Sequence, residues 1–299
     1  MKPSNAVVRL AWLIAVLSLV SSGIGLFYVD DGSPFSFTTL RGETVQMYGQ
    51  GLYRHETLLN GAGFKGTDAF ILFFAIPLLI AATLLYQRGS LRGGFVLLGT
   101  LACFLYNAAH QALNYAYTNL FIVHVALLSA SFFAFVLAFT SFDLAALPGR
   151  FSQHLPRRII ATYLFVVGTS LLLVWGGLSI LPALLQGKAP AEVASNTTLV
   201  THALDMGIIA PVSFLAGILL LRRAPVGYLL ASTMVVVSWT IGGGVMALSV
   251  AQMLAGLLTG FEFAVFVAPF AILTLVGIWL TIVLFHHFSE PATWRAVYA

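Results

Sequence analysis

Eight apolar runs decide what this chain can become. They lie at roughly Ala6 to Phe27, Asp68 to Tyr86, Gly94 to Tyr117, Leu120 to Phe142, Ile159 to Leu185, Leu199 to Leu221, Val226 to Ala251 and Phe263 to Phe285. Each approaches the ~20 residues that carry an α-helix across a bilayer. A chain of 299 residues that is 60% hydrophobic and 8% charged has more apolar surface than one soluble core can hide. The runs are long rather than ten-residue alternations, and unpaired backbone cannot face lipid, so a helical bundle is expected over a β-barrel. The fold class is all-α, a single polytopic membrane domain over residues 1–299, with the lipid bilayer as its first partner.

The basic residues orient the bundle. Lys2, Arg9, Arg88, Arg92, Arg150, Arg157, Arg158, Arg222, Arg223 and Arg295 collect on one side, and Arg41, Arg54, Lys65 and Lys188 on the other. Ten against four, mostly in short loops, puts both termini in the cytoplasm. The net charge of +4 comes from these scattered loop residues, with no basic helix face for nucleic acid. The one cysteine, Cys103, lies within a span and excludes an internal disulfide or a thiolate metal cluster. The first span resembles a secretory signal, since Lys2 and Arg9 precede the apolar stretch and Ser21, Ser22 and Gly23 follow it. Its apolar run continues through Phe27 to spanning length, and it is counted as a span.

The loop from Tyr28 to Thr67 is the longest. In it "FSFTTLRGETVQMYG" places two alternating stretches around Arg41-Gly42, which predicts a β-hairpin. "GLYRHETLLNGAGFKGTD" follows as a glycine-punctuated connector, and together they make a small lid on the outer face. Two cytoplasmic turns look alike, "YQRGSLRGG" and "LRRAPVGYLL". The spans before them share a midspan proline, Pro77 and Pro211, and an acid near the outer end, Asp68 and Asp205. A duplicated four-helix unit accounts for this pattern, as does chance recurrence of short basic turns.

Polar residues inside the spans are the candidates for function. On the third span Cys103, Tyr106, Asn107, His110, Asn114 and Tyr117 share one helical face. Counting ~1.5 Å per residue, His110, His124 and Asp205 reach similar depths of about 24 to 27 Å from the cytoplasmic side. His202 lies one turn above Asp205. These residues define a polar layer under the long loop, between spans two, three, four and six. Its expected ligand-binding residues are Asp68, Tyr106, Asn107, His110, His202 and Asp205. Asp68 and Asp205 are expected to hold Tyr106, Asn107 and His202 in hydrogen bonds, and Asp205 is the leading candidate for a proton or cation.

Other chemistries stay open on the same residues. His110, His124, His202 and Asp205 are a donor set suited to zinc or non-haem iron. His110 and His124, on consecutive antiparallel spans, are spaced for bis-histidine haem. No H-E-x-x-H, paired acidic motif or G-x-S-x-G accompanies them. Ser129, Ser131, Ser238 and Thr240 are read as bonding their own helices. "WTIGGGVMA", Trp239 to Ala247, is read first as close helix packing and second as the lining of a substrate path. Asn196-Thr197-Thr198 has the pattern of a glycosylation acceptor, which carries meaning only outside bacteria.

"YGQGLYRHETLLNGAGFKGTD", "QRGSLRGGFVLLGTLACFLYN" and "THALDMGIIAPVSFLAGILLLRRAPVGYLLA" resemble a family of bacterial integral membrane proteins with no assigned activity. The resemblance implies a protein of the bacterial cytoplasmic membrane. It marks Gly66-Thr67-Asp68, Tyr106-Asn107 and Leu204-Asp205 as family-like positions, and it does not extend to His110 or His124. The expected function is binding, sensing or transport of a small molecule. A membrane-embedded metal- or haem-dependent enzyme is the alternative.

Overall fold

The computed structural model describes residues 1–290, so Arg295 lies outside the described residues. Among these, eight helices are long and apolar enough to cross a membrane. They are α1 (Asn5–Phe27), α2 (Leu58–Gln87), α3 (Leu91–Leu113), α4 (Phe121–Thr140), α5 (Arg157–Leu185), α6 (Val200–Leu221), α7 (Pro225–Leu254) and α8 (Gly260–His286). The expected hairpin is present as β1 (Phe35–Thr38) and β2 (Thr44–Met47), antiparallel, with Phe35 opposite Met47. Gly42 takes φ +83° in its turn, a conformation that favours glycine.

Two boundaries differ from the sequence reading. α2 begins at Leu58, not Asp68, because the Thr57 hydroxyl accepts the Asn60 N–H at 3.2 Å and caps the helix. The glycines that look like loop punctuation are contact residues. A side chain at Gly66 would strike the Ala247 carbonyl of α7, and one at Gly63 would strike Leu248 and Gln252. Lipid offers no hydrophobic drive between helices, so such close approach is what binds spans together. α3 stops at Leu113, and Tyr117 lies beyond it, exposed.

α7 is the hub, packed against α2, α3, α6 and α8. α1 leans on α2 and α4, and α5 on α6. Both described ends of the chain lie at one end of the bundle. Ser4 N–H donates to the Tyr86 hydroxyl at 3.0 Å, and Lys2 N–H to the Ser141 carbonyl at 3.1 Å. There too the Glu290 carboxylate accepts from Leu91 and Arg92 N–H, each at 3.0 Å, and from Ser90 Oγ at 2.8 Å. A carboxylate at the amino end of α3 meets its unpaired N–H groups and its dipole. The opposite end carries the hairpin.

Three helices widen into π-turns just before a proline. The π segments are Ile71–Ala75, Leu172–Ile180 and Asp205–Ile209, followed by Pro77, Pro182 and Pro211. A proline ring would collide with the carbonyl one turn back in a regular helix, and a wider turn relieves that contact. From the π segment of α2 to the first turn of α3, the register matches that of α6 and α7. Position 71 answers to 205, 76 to 210, 87 to 221 and 91 to 225, a constant offset of 134 residues. Gly89 and Arg223, both at positive φ, share this register, as do Gly93 and Gly227.

Candidate functional site

Three buried acids stand near the hairpin end, each with a different environment. Asp68 on α2 is 1% exposed and accepts the Tyr53 hydroxyl at 2.5 Å through Oδ2. Gly25 of α1 makes room for the pair, since a side chain there would run into both. Oδ1 of Asp68 has no partner, and neither has Oγ of Ser22, which faces it from α1. Glu56, in the loop before α2, is 2% exposed and accepts the Ala116 N–H at 2.6 Å, leaving Oε2 unpartnered. Burial raises the Glu56 carboxyl to about 7. Burial also pushes Tyr53 and Tyr115 well above the usual phenol range.

Asp205 lies at the first residue of the α6 π segment, and its environment comes from α5 and α3. The Trp175 indole N–H donates to Oδ2 at 2.7 Å, and the Tyr106 hydroxyl meets the same carboxylate. Trp175 itself sits in the long π segment of α5. Its ring also packs on His202 at 4.1 Å between centroids. His202 is 5% exposed, yet neither ring nitrogen has a partner.

Two adjoining cavities open among these residues. The first, about 100 Å³, is walled by Phe64 and Thr67 of α2, by Tyr106, Asn107 and His110 of α3, and by Ile241, Gly244, Val245 and Leu248 of α7. The second, about 190 Å³, is bordered by Trp175, Thr201, His202, Asn114 and Gln252, with Glu192 and Asn196 from the loop before α6. Phe64, His110, Thr201 and Leu248 border both. His110 Nε2 pairs with Thr201 Oγ1 at 2.8 Å across α3 and α6. Above this region, the Arg41 guanidinium at the hairpin tip donates to the carbonyls of Ala194 and Asn196, the latter at 3.1 Å. Ala194 holds φ +44° there.

The structure therefore gathers four of the six expected ligand residues around two adjoining cavities, Tyr106 and Asn107 at the first, His202 at the second and His110 at both, with Asp205 bonded to Trp175 and Tyr106 in their walls. Asp68 faces α1 and Tyr53 and borders neither cavity. Of the expected hydrogen bonds from the two acids, that between Asp205 and Tyr106 is present and those to Asn107 and His202 are corrected. Asp68 holds Tyr53, Asp205 holds Trp175 and Tyr106, Asn107 donates to the Cys103 carbonyl of its own helix at 2.9 Å, and His202 is held by neither acid. The wall expected from span four comes instead from α7. His124 turns the other way and pairs with Ser21 Oγ of α1 at 3.1 Å.

The shared depth of the histidines does not bring them together. Among the described residues no three His, Cys, Asp or Glu side chains form a metal-ligand group, so the alternative of zinc or iron on His110, His124, His202 and Asp205 finds no such group. Tyr115 stands between His110 and His124, edge-on to each at 5.6 and 5.9 Å, and fills the place of a bis-histidine haem. Ser238 and Thr240 donate to the carbonyls of Met234 and Val236 in their own helix. Of the three consecutive glycines in α7, Gly242 abuts Thr274, Gly243 abuts Phe70, and Gly244 both touches Phe70 and borders the first cavity. Packing and pocket lining are both present.

Sequence reasoning missed Tyr53, Glu56, Tyr115 and Trp175. Three of these belong to loops with no periodicity, where nothing local signals an inward turn. Trp175 carried a signal, an aromatic with a polar tip at the depth of Asp205. No family model, no curated protein and no solved structure matches this chain.

Proposed function

We propose that this is a multi-pass protein of the bacterial cytoplasmic membrane, both termini inside, that binds a small neutral or cationic hydrogen-bonding molecule and senses or carries it. The pocket at the hairpin end then faces the periplasm, a direction supported by the ten-to-four bias of basic residues. The constant register of α2–α3 and α6–α7 supports an ancestral duplication.

One observation carries the binding reading. An imidazole that is 5% exposed, with both nitrogens unpartnered, borders a cavity of about 190 Å³. Buried polar atoms are nearly always hydrogen-bonded, so this ring is set to receive a partner from the cavity. Thr201, Asn114, Asn196 and Gln252 offer further amide and hydroxyl groups. No lysine or arginine borders either cavity, while Glu192 does and Asp205 lies just behind, which selects against anions. Both volumes fall below the ~300 Å³ at which drug-sized pockets begin, which favours a molecule of few heavy atoms.

The test is thermal unfolding of the purified protein in detergent with ethanolamine, glycinamide and acetamide as probes and acetate and sulfate as controls. Stabilisation by the amine or amide probes that disappears in His202→Leu and weakens in Asp205→Asn supports the reading. Equal stabilisation by the anions, or none by any probe, overturns it. Elemental analysis and an absorption spectrum of the same sample address the enzyme alternative, since bound zinc, iron or a Soret band would demand redox or hydrolytic chemistry.

A further inference from the structure

Asp68 and the groups around it lie outside the pocket and form an arrangement of their own. The carboxyl is 1% exposed, and among the described residues the one ion pair is Arg54 with Asp30, in the loop. The nearest cation, Lys65, is one turn back on α2 and lies over the Tyr48 ring at 5.9 Å. An ionised carboxylate buried without a counter-ion is strongly disfavoured. The hydrogen bonds leave a place for one proton. Oδ2 is satisfied by Tyr53, whereas Oδ1 and the facing Ser22 Oγ, on a residue that is 0% exposed, are both unpartnered. The Ser22 hydroxyl can satisfy both atoms by accepting a hydrogen from Oδ1 or by donating its own, so burial without a counter-ion is what favours the protonated form.

A line of oxygens leads from this carboxyl toward the loop face. Tyr53 and Tyr115 meet edge to face at 5.6 Å with their hydroxyls in contact. Glu56 is held near Tyr115 by its hydrogen bond to Ala116 N–H, with the Asn60 side chain against the same carboxyl. We propose that Asp68 is a proton-binding site, loaded and emptied through Tyr53, Tyr115 and Glu56. Inward transfer moves one proton. Tyr53 gives its hydroxyl hydrogen to Asp68 and takes one from Tyr115, Tyr115 takes one from the Glu56 carboxyl, and the phenols end unchanged.

The site also touches the pocket. Tyr115 stacks on Phe64 at 4.2 Å, and both border the first cavity. The other titratable groups facing the series are Lys65 on α2, His110 on α3 and His124 on α4, while α1 presents serines. Because Tyr115 contacts both histidines, a proton shift along the chain changes the field at His110 in the pocket wall. The proton site stands whether or not the pocket binds a solute.

Infrared spectroscopy of the full chain in nanodiscs, with no solute added, tests it. The wild type is expected to show the carbonyl stretch of a buried carboxylic acid at neutral pH, and Asp68→Asn is expected to lose it. Tyr53→Phe is expected to shift the frequency of that band, and Glu56→Gln to leave it in place while slowing its response to deuterium. A carbonyl region unchanged between the wild type and Asp68→Asn, or no such band in the wild type, overturns the proposal, and any band that Glu56→Gln alone removes is assigned to Glu56. If the Asn variant fails to fold, as judged by gel filtration, the Tyr53→Phe band position decides: an unmoved band assigns the acid elsewhere.

Discussion

The α2–α3 and α6–α7 hairpins share one backbone path from the π segment through the turn and use it for different chemistry. Both run through a five-residue π segment, a proline two residues later, a twelve-residue helical stretch and a tight turn with one residue at positive φ. Three residues before the π segment, however, one places Asp68 and the other His202. Asp68 is enclosed by Tyr53, Gly25 and Ser22 and borders neither cavity. His202 borders open space and rests on Trp175. The path of a span is thus set by helix-breaking residues and turn geometry, and its chemistry by which neighbours approach at the same height. The two acids that look equivalent in sequence, Asp68 and Asp205, do not share a register position.

The comparison breaks most visibly at Gly93 and Gly227. A Cβ at Gly93 would sit 2.4 Å from Leu85 Cβ, and one at Gly227 would sit 2.4 Å from the Leu219 backbone carbon. Leucine at either position is expected to lower stability by about 3 kcal/mol, measured by denaturant unfolding in detergent. A large loss at one and tolerance at the other would end the claim of equivalent turns.

Next in size is a difference in pH response between the two regions. The Glu56 carboxyl near Asp68 has a higher pKa folded than unfolded, about 7 against 4.5, so the native state binds its proton more readily. Its contribution to stability is therefore fully present below pH ~4.5 and is lost as pH rises through about 7. Glu56→Gln is expected to remove a decline of about 2–3 kcal/mol between pH 5 and pH 8. An unchanged slope in the variant would place the pH sensitivity elsewhere.

The turns offer a smaller effect of opposite sign. Gly89 has φ +84° and Arg223 has φ +57°. Gly89→Ala is expected to cost about 1 kcal/mol and Arg223→Gly to gain a similar amount, because only glycine occupies the left-handed region without strain. Two changes of the same sign would contradict a shared conformation. The smallest effect is expected at the hairpin tip. Arg41→Ala removes an exposed guanidinium from the Ala194 and Asn196 carbonyls, with a loss of under about 1 kcal/mol in global stability. Amide hydrogen exchange over residues 188–199 is expected to rise, and no change there would detach the hairpin from the pocket roof.

Much of the architecture was legible because bilayer length and backbone hydrogen bonding leave few alternatives. The eight spans, the hairpin around Arg41-Gly42 and the polar face of α3 through Tyr106, Asn107 and His110 all follow from periodicity and run length. The first turns of α2 were not, since Gly61, Gly63 and Gly66 read equally as loop breakers or as contact residues, and only the presence of α7 chooses. Half of the candidate site was legible as polar residues at one depth. Depth is one coordinate, and it says nothing about azimuth, which is why His124 shares a level with His110 yet faces α1.

What the amino-acid sequence determined by itself is the number, length and polarity of the spans, since each is a local property of one helix in hydrocarbon. Which side chains meet was decided by the tertiary structure alone. Rotation of each helix about its axis and the inward fold of residues 28–57 joined Asp68 to Tyr53, put Trp175 between Asp205 and His202, and set Tyr115 where two histidines would otherwise have faced each other. Those pairings arise from contacts between segments far apart in the chain, and close packing among helices has no signature in any one of them.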